Sequence, residues 1–211
     1  MDPRRLGWWG GASLALATAL GVILMLGYED PPGFDQWWND TVILRRSDAA
    51  IAFAQALDRL GGGWFAVLVS PLGIIAALVI ARRWRGALFA AGSFALSAVV
   101  VQLLKSLVAR ARPEDMLVAS DFGSFPSGHT ANATTIAVVL VLLFPRLWVA
   151  LAGAAWVLAM AYSRTLLSVH WVTDTLGGTL VGAGVPLVLA GFLLPWAWRH
   201  APRRPRAAAR E

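Results

Sequence analysis

The chain has 211 residues, of which 58% are hydrophobic and only 14% charged, with 20 Gly, 11 Trp and no Cys. An average soluble domain is about 45–50% apolar and about 25% charged, so this balance excludes a disordered chain and argues against an ordinary water-soluble globule. Without cysteine there is no disulfide framework and no thiolate metal site, while a formal charge of +6 leaves nucleic acid, anionic lipid and membrane orientation open as its purpose.

A helix that crosses a bilayer needs about 20 mostly apolar residues. In chain order, the first such stretch covers 6–28 and contains no charge. It follows Arg4 and Arg5 as a secretory leader would, but it exceeds the usual ~7–15-residue leader core and is read as a retained helix. Residues 29–62 form the longest connection. Pro31, Pro32 and Gly33 break the first helix, and Ile51, Phe53, Ala54, Leu57 and Leu60 then recur at helical spacing, with Asp58 and Arg59 off the stripe. That pattern predicts one short amphipathic helix, either lying on the membrane interface or packed against the bundle.

Further apolar stretches follow at 63–81, 86–104, 129–144, 147–162 and 175–198. The expected fold is therefore all-α, a polytopic membrane protein with six transmembrane helices and an amphipathic interfacial helix between the first and second. Residues 1–198 form the membrane domain, and the basic, proline-containing tail 199–211 is expected to be disordered. Pro71 and Pro186 are expected to kink their helices. Gly178 and Gly182 make a small-xxx-small pair suited to helix packing.

Charge placement orients the bundle. With the N-terminus inside, 11 of the 18 basic residues fall on inner segments, against only Asp2 and Glu211 among the 12 acids. Inner segments rich in Lys and Arg are the rule for membrane proteins. Trp8, Trp9, Trp64, Trp84, Trp148, Trp196 and Trp198 sit near span ends, as interfacial aromatic belts do. Both termini are thus expected in the cytoplasm. The basic tail reads as a topology anchor rather than a nucleic-acid or lipid site.

The remaining ionisable residues gather in three places, all at the outer ends of predicted helices. Lys105 and Arg112-Pro113 leave the third span, Pro126-Ser127-Gly128-His129 opens the fourth, and Ser163-Arg164, His170 and Asp174 lie between the fifth and sixth. Ionisable groups at membrane depth are costly and point to function. Three cations and two histidines on one side call for an anion. Lys supplies point charge, Arg matches phosphate bidentately, and a helix start behind Ser127-Gly128 offers free backbone N–H groups. His170 and Asp174 stand four apart and share a face if helical. A carboxylate on one ring nitrogen would free the other as nucleophile or base, leaving His129 as the acid for a leaving oxygen. Arg110 and Asp121 lie nearby, either against a headgroup or as solvated loop residues.

The pattern Lys-x6-Arg-Pro, Pro-Ser-Gly-His and Ser-Arg-x5-His-x3-Asp resembles the three-part signature of the type 2 phosphatidic acid phosphatase and vanadium haloperoxidase superfamily. Lys105, Arg112, Pro113, Pro126, Ser127, Gly128, His129, Ser163, Arg164, His170 and Asp174 match it position by position. The resemblance implies His170 as nucleophile, Asp174 as its orienter and His129 as general acid. It implies phosphate binding by Lys105, Arg112, Ser127, Gly128 and Arg164, with no metal and no cofactor. Membrane members of the family dephosphorylate lipid phosphates at the outer face of the bacterial cytoplasmic membrane. The expected partners are then a lipid phosphate or diphosphate and the bilayer, with no nucleic acid.

Three readings follow. The first is a lipid phosphatase working through a phosphohistidine. Its substrate is undecaprenyl diphosphate by analogy with compact bacterial members, with phosphatidylglycerophosphate, phosphatidic acid and diacylglycerol pyrophosphate as alternatives. The second is a vanadate-dependent haloperoxidase, disfavoured by the short, six-span chain. The third is a headgroup binder or transporter without catalysis, which would not need a nucleophile–orienter pair.

Overall fold

The computed structural model describes residues 2–27, 31–62 and 65–198. Tyr28, Gly63, Trp64 and the tail 199–211 of the sequence expectations lie outside them. Eight α-helices follow in order: α1 (Pro3–Gly27), α2 (Gly33–Leu44), α3 (Asp48–Gly61), α4 (Ser70–Ile80), α5 (Trp84–Val108), α6 (Gly128–Leu143), α7 (Leu147–Leu166) and α8 (Val172–Trp198). No strand occurs among the described residues. Four helices, α1, α5, α7 and α8, are long and apolar enough to cross a membrane, whereas α4 and α6 are shorter apolar helices. The six-span expectation is therefore supported by length and composition for four helices.

Two boundaries differ for identifiable reasons. Pro71 sits in the first turn of α4, and the residues just before it, Phe65–Val69, form a π-helical stretch rather than a regular α-helix. The connection 31–62 holds two helices rather than one. The inward face of α2 is Asp35, Asn39 and Val42, at helical spacing but two-thirds polar, so apolar periodicity does not reveal it. Ser47 caps α3 by accepting the Ala50 N–H at 3.3 Å. Ala54 and Leu57 are buried and α3 packs against α7, while Phe53 and Leu60 stay exposed.

In lipid the tails are as apolar as leucine, so helices associate by close packing and polar contacts. Glycines supply the approach. A Cβ at Gly178 would lie 2.4 Å from the Ser127 carbonyl oxygen, and one at Gly182 would lie 2.3 Å from the Ala131 carbonyl oxygen. The small-xxx-small pair thus presses α8 onto α6. Ser97 and Thr135 hydroxyls meet at 2.8 Å between α5 and α6, and Ser13 donates to the Leu180 carbonyl at 2.8 Å between α1 and α8. Short links at 81–83, 144–146 and 167–171 hold successive helices antiparallel. The C-terminal ends of α5 and α7 therefore meet the N-terminal ends of α6 and α8.

Candidate active site

All three signature segments arrive at this end. The last turn of α5 carries Lys105, and Ala109 closes the helix in a left-handed conformation. Lys105 does not snorkel outward. It is 4% exposed and donates to the Gly123 carbonyl at 2.8 Å, with Asp121 at 3.3 Å. Arg112 is held in the following loop by the Asp121 carboxylate at 2.7 Å, the Gly123 carbonyl at 2.8 Å and the Val169 carbonyl. Ser127 is fully buried and caps α6, its oxygen facing the Thr130 N–H at 3.4 Å. The helix then opens with Gly128 and His129.

The nucleophile candidate lies in a tight connection and not on a helix, as the four-residue spacing had suggested. α7 ends at Leu166, Ser168 turns the chain with φ 49°, and His170 precedes the start of α8. Asp174, in the first turn of α8, reaches back instead. Its Oδ2 accepts the Trp171 N–H at 2.8 Å and stands 3.5 Å from His170 Nδ1. The other ring nitrogen, Nε2, faces Arg112 Nη1 at 3.3 Å. Burial pushes the His170 imidazole down to about 4, with Asp174 opposing and the Arg112 and Lys105 charges adding to the push. The ring is therefore neutral near pH 7, with Nε2 turned toward the cations.

A further acid belongs to this cluster that no motif announced. Asp58 on α3 accepts from Arg164 Nη1 at 2.5 Å and lies 3.2 Å from His129 Nε2. The His129 ring, and then the Arg164 guanidinium, hold the Asp58 carboxyl down at about 2 against the opposing effect of burial. Arg164 itself is 0% exposed and also bonds the Ser163 hydroxyl at 3.2 Å and the Ala54 carbonyl at 3.4 Å. α3 is thus a wall of the site. Sequence gave one clue, an acid on the outer connection off the apolar stripe.

Arg110 is not a solvated loop residue, since its side chain is 9% exposed and ion-paired to Asp35 at 2.8 Å and Asp174 at 2.6 Å. Asp121 remains exposed but is paired with both Lys105 and Arg112.

Lys105, Gly128, His129, His170, Asp58 and Asp121 line one end of a cavity of about 950 Å³. Its remainder runs between α4, α5 and α6 along apolar side chains such as Leu72, Ile75, Phe94 and Val101. Among the described residues no cluster of three or more His, Asp or Glu side chains is placed to hold a metal ion. Lys105 and two imidazoles at the mouth of an apolar groove, with Arg112 3.3 Å from His170 Nε2, form a polar end that can take an oxyanion on a greasy tail.

Comparison with known proteins agrees with that chemistry. The family model for the PAP2 superfamily matches residues 86–199. Decaprenylphosphoryl-5-phosphoribose phosphatase of Mycobacterium tuberculosis is 34% identical over 154 residues, covering 66% of this chain and 78% of that protein. Undecaprenyl-diphosphatase of Sulfolobus acidocaldarius is 31% identical over 101 residues, 44% of this chain, and the match spans about half of that relative, 48%. Among solved structures, the PAP2-type phosphatidylglycerolphosphate phosphatase of Bacillus subtilis superposes with a TM-score of 0.72 at 26% identity, covering 90% of this chain and 95% of that one.

Proposed function

Because the chain belongs to the PAP2 superfamily, we propose that it is an integral-membrane phosphatase acting on a lipid phosphate or diphosphate through a phosphohistidine. The observation that carries the reading is the neutral His170 Nε2, 3.3 Å from Arg112, at the polar end of an apolar cavity. Lys105, Arg112 and Arg164 bind the phosphoryl oxygens, assisted by Ser127 and the Gly128 N–H at the start of α6. His170 Nε2 attacks phosphorus in line, and the P–O bond to the leaving group breaks. His129 gives its proton to the departing oxygen. Water then attacks the phosphohistidine, losing its proton to His129 as the P–N bond breaks, and inorganic phosphate leaves. Asp174 holds the His170 tautomer throughout.

In the membrane α1 and α4–α8 cross the bilayer, α2 and α3 lie at the outer interface, and both termini are cytoplasmic. The substrate enters sideways between helices from the outer leaflet, with its tail along Leu72, Ile75 and Phe94. A polyprenyl lipid, undecaprenyl diphosphate first, is the leading substrate, since two relatives are named for polyprenyl-linked phosphates.

A phosphate-release assay tests this with purified protein and undecaprenyl diphosphate, phosphatidylglycerophosphate, phosphatidic acid and diacylglycerol pyrophosphate. Release is expected from at least one, in EDTA as without it. His170→Ala is expected to fold and to release none. Turnover by that variant at the wild-type rate overturns the mechanism.

A further inference from the structure

The orienting carboxylate Asp174 is itself held by residues outside the signature. Asp35 on α2 and Asp174 on α8 are both 0% exposed, and one guanidinium joins them. Arg110 Nη2 donates to Asp35 Oδ2 at 2.8 Å, and Nη1 donates to Asp174 Oδ1 at 2.6 Å. Thr173 closes the network. Its hydroxyl donates to Asp35 Oδ2 at 2.5 Å and accepts from Arg110 Nη1 at 2.8 Å, while its N–H donates to Asp35 Oδ1 at 3.0 Å. Asp35 therefore satisfies a free N–H in the first turn of α8 from a different helix, the turn that also holds Asp174.

Charge makes the arrangement more than a brace. A lone Arg against a single buried carboxylate neutralises it, and Asp174 would then be drawn wholly toward Arg110. Sharing the guanidinium between two carboxylates leaves one negative charge in the triad. Asp174 Oδ2 stays free of Arg110, bonded to the Trp171 N–H at 2.8 Å and turned to His170 Nδ1. We infer that Asp35, acting through Arg110 and Thr173, is a positioning residue that fixes Asp174 against the imidazole. The inference rests on His170 being the nucleophile.

The test uses the full chain with whichever lipid phosphate the wild type hydrolyses. For Asp35→Asn, kcat is expected to fall on the order of 10- to 100-fold, the usual cost of removing a group that orients a site from behind. KM and the inhibition constant of inorganic phosphate are expected to stay within about twofold, because the cations that hold phosphate are not touched. A parallel loss of kcat, KM and phosphate affinity means a merely structural role and overturns the inference, as does a kcat within about twofold of wild type. Should Asp35→Asn fail to fold, Thr173→Val removes only one hydroxyl of the network. A smaller drop in kcat with the same split supports the inference, and an unchanged kcat overturns it. A wild type that hydrolyses none of the lipids refutes the phosphatase reading, and with it the nucleophile on which this inference depends.

Discussion

Asp58 places a second carboxylate beside the second histidine, and that ring and the Arg164 guanidinium hold the carboxyl down at about 2. It lies between His129 Nε2 at 3.2 Å and Arg164 Nη1 at 2.5 Å. That carboxylate stands within reach of the His129 ring proposed to protonate the leaving group. Asp58→Asn is then expected to slow release from lipid phosphates, whose alkoxides need that proton, by roughly 10²-fold, a typical share for general acid catalysis. It is expected to slow p-nitrophenyl phosphate, whose leaving group departs without one, far less. Equal losses on both substrates would assign Asp58 to Arg164 alone. The pH profile tests the other histidine. His170 titrates near its ordinary 6.5 when unfolded but at about 4 in place, so the neutral imidazole persists well below neutrality. The acid limb of kcat/KM belonging to His170 is expected near pH 4 rather than 6.5. By the same difference, the stability it confers is complete above about 6.5 and is lost as pH falls toward 4. The signature residues were legible because each is chemically expensive at a membrane surface and their spacing is fixed. Asp58, Arg110 and Asp35 were not, since a single acid or arginine in an outer loop is ordinarily solvated, and only the folded chain shows Asp35 buried and all three ion-paired.

Helices α6 and α8 carry His129 and Asp174, so their separation sets the geometry of the site. The contact is backbone to backbone at Gly178 and Gly182, and the Ser127 N–H donates to the Asp174 carbonyl at 2.9 Å across it. A side chain at Gly178 cannot be accommodated by a rotamer change, because what it meets is the Ser127 carbonyl oxygen at 2.4 Å. Gly178→Val is expected to cost about 1–3 kcal/mol of stability, read as a lowered thermal midpoint, and to lose phosphate release as α8 is pushed away. Gly73→Val, where a Cβ meets nothing within 4 Å, serves as the control and is expected to remain active. Apolar length made α5 to α8 readable in advance, and small-residue spacing marked Gly178 and Gly182 for packing without naming the helix they meet. α2 escaped because it turns Asp35 and Asn39 inward, and Asn39 accepts there from the Ser168 hydroxyl at 2.7 Å beside His170. A helix whose buried face is polar carries no apolar stripe to read. Arg46, just after α2, adds to the same grip through the Leu166 carbonyl at 2.9 Å and the Ser168 hydroxyl at 2.6 Å. The connection between α1 and α4 is thus a support for the turn that bears His170.

For the whole molecule, the excess positive charge divides into two populations at opposite ends of the bundle. Arg82, Arg83, Arg85 and Arg146 lie at the links away from the site, where Arg85 stacks on Trp84 and Trp196 at 5.0 and 4.8 Å from the ring centres. Those two indoles meet edge to face at 5.5 Å, as residues of a membrane-interface belt would. Lys105, Arg110, Arg112 and Arg164 occupy the other end, and each is paired with a carboxylate there. The links 81–83 and 144–146 carry arginine and no acid, and links rich in Lys and Arg favour the inner side, which predicts a cytoplasmic Arg146 and an external active site. Because the chain has no cysteine, one introduced thiol reports one position without background. Ser120 lies in the exposed loop beside the cavity, and Arg146 is exposed at the opposite end. In intact spheroplasts, a membrane-impermeant maleimide is expected to label Ser120→Cys and to spare Arg146→Cys until the cells are opened. The reverse pattern would turn the bundle over and deliver phosphate to the cytoplasm. Labelling of both in intact cells would instead mean that the helices do not separate these two ends across a membrane.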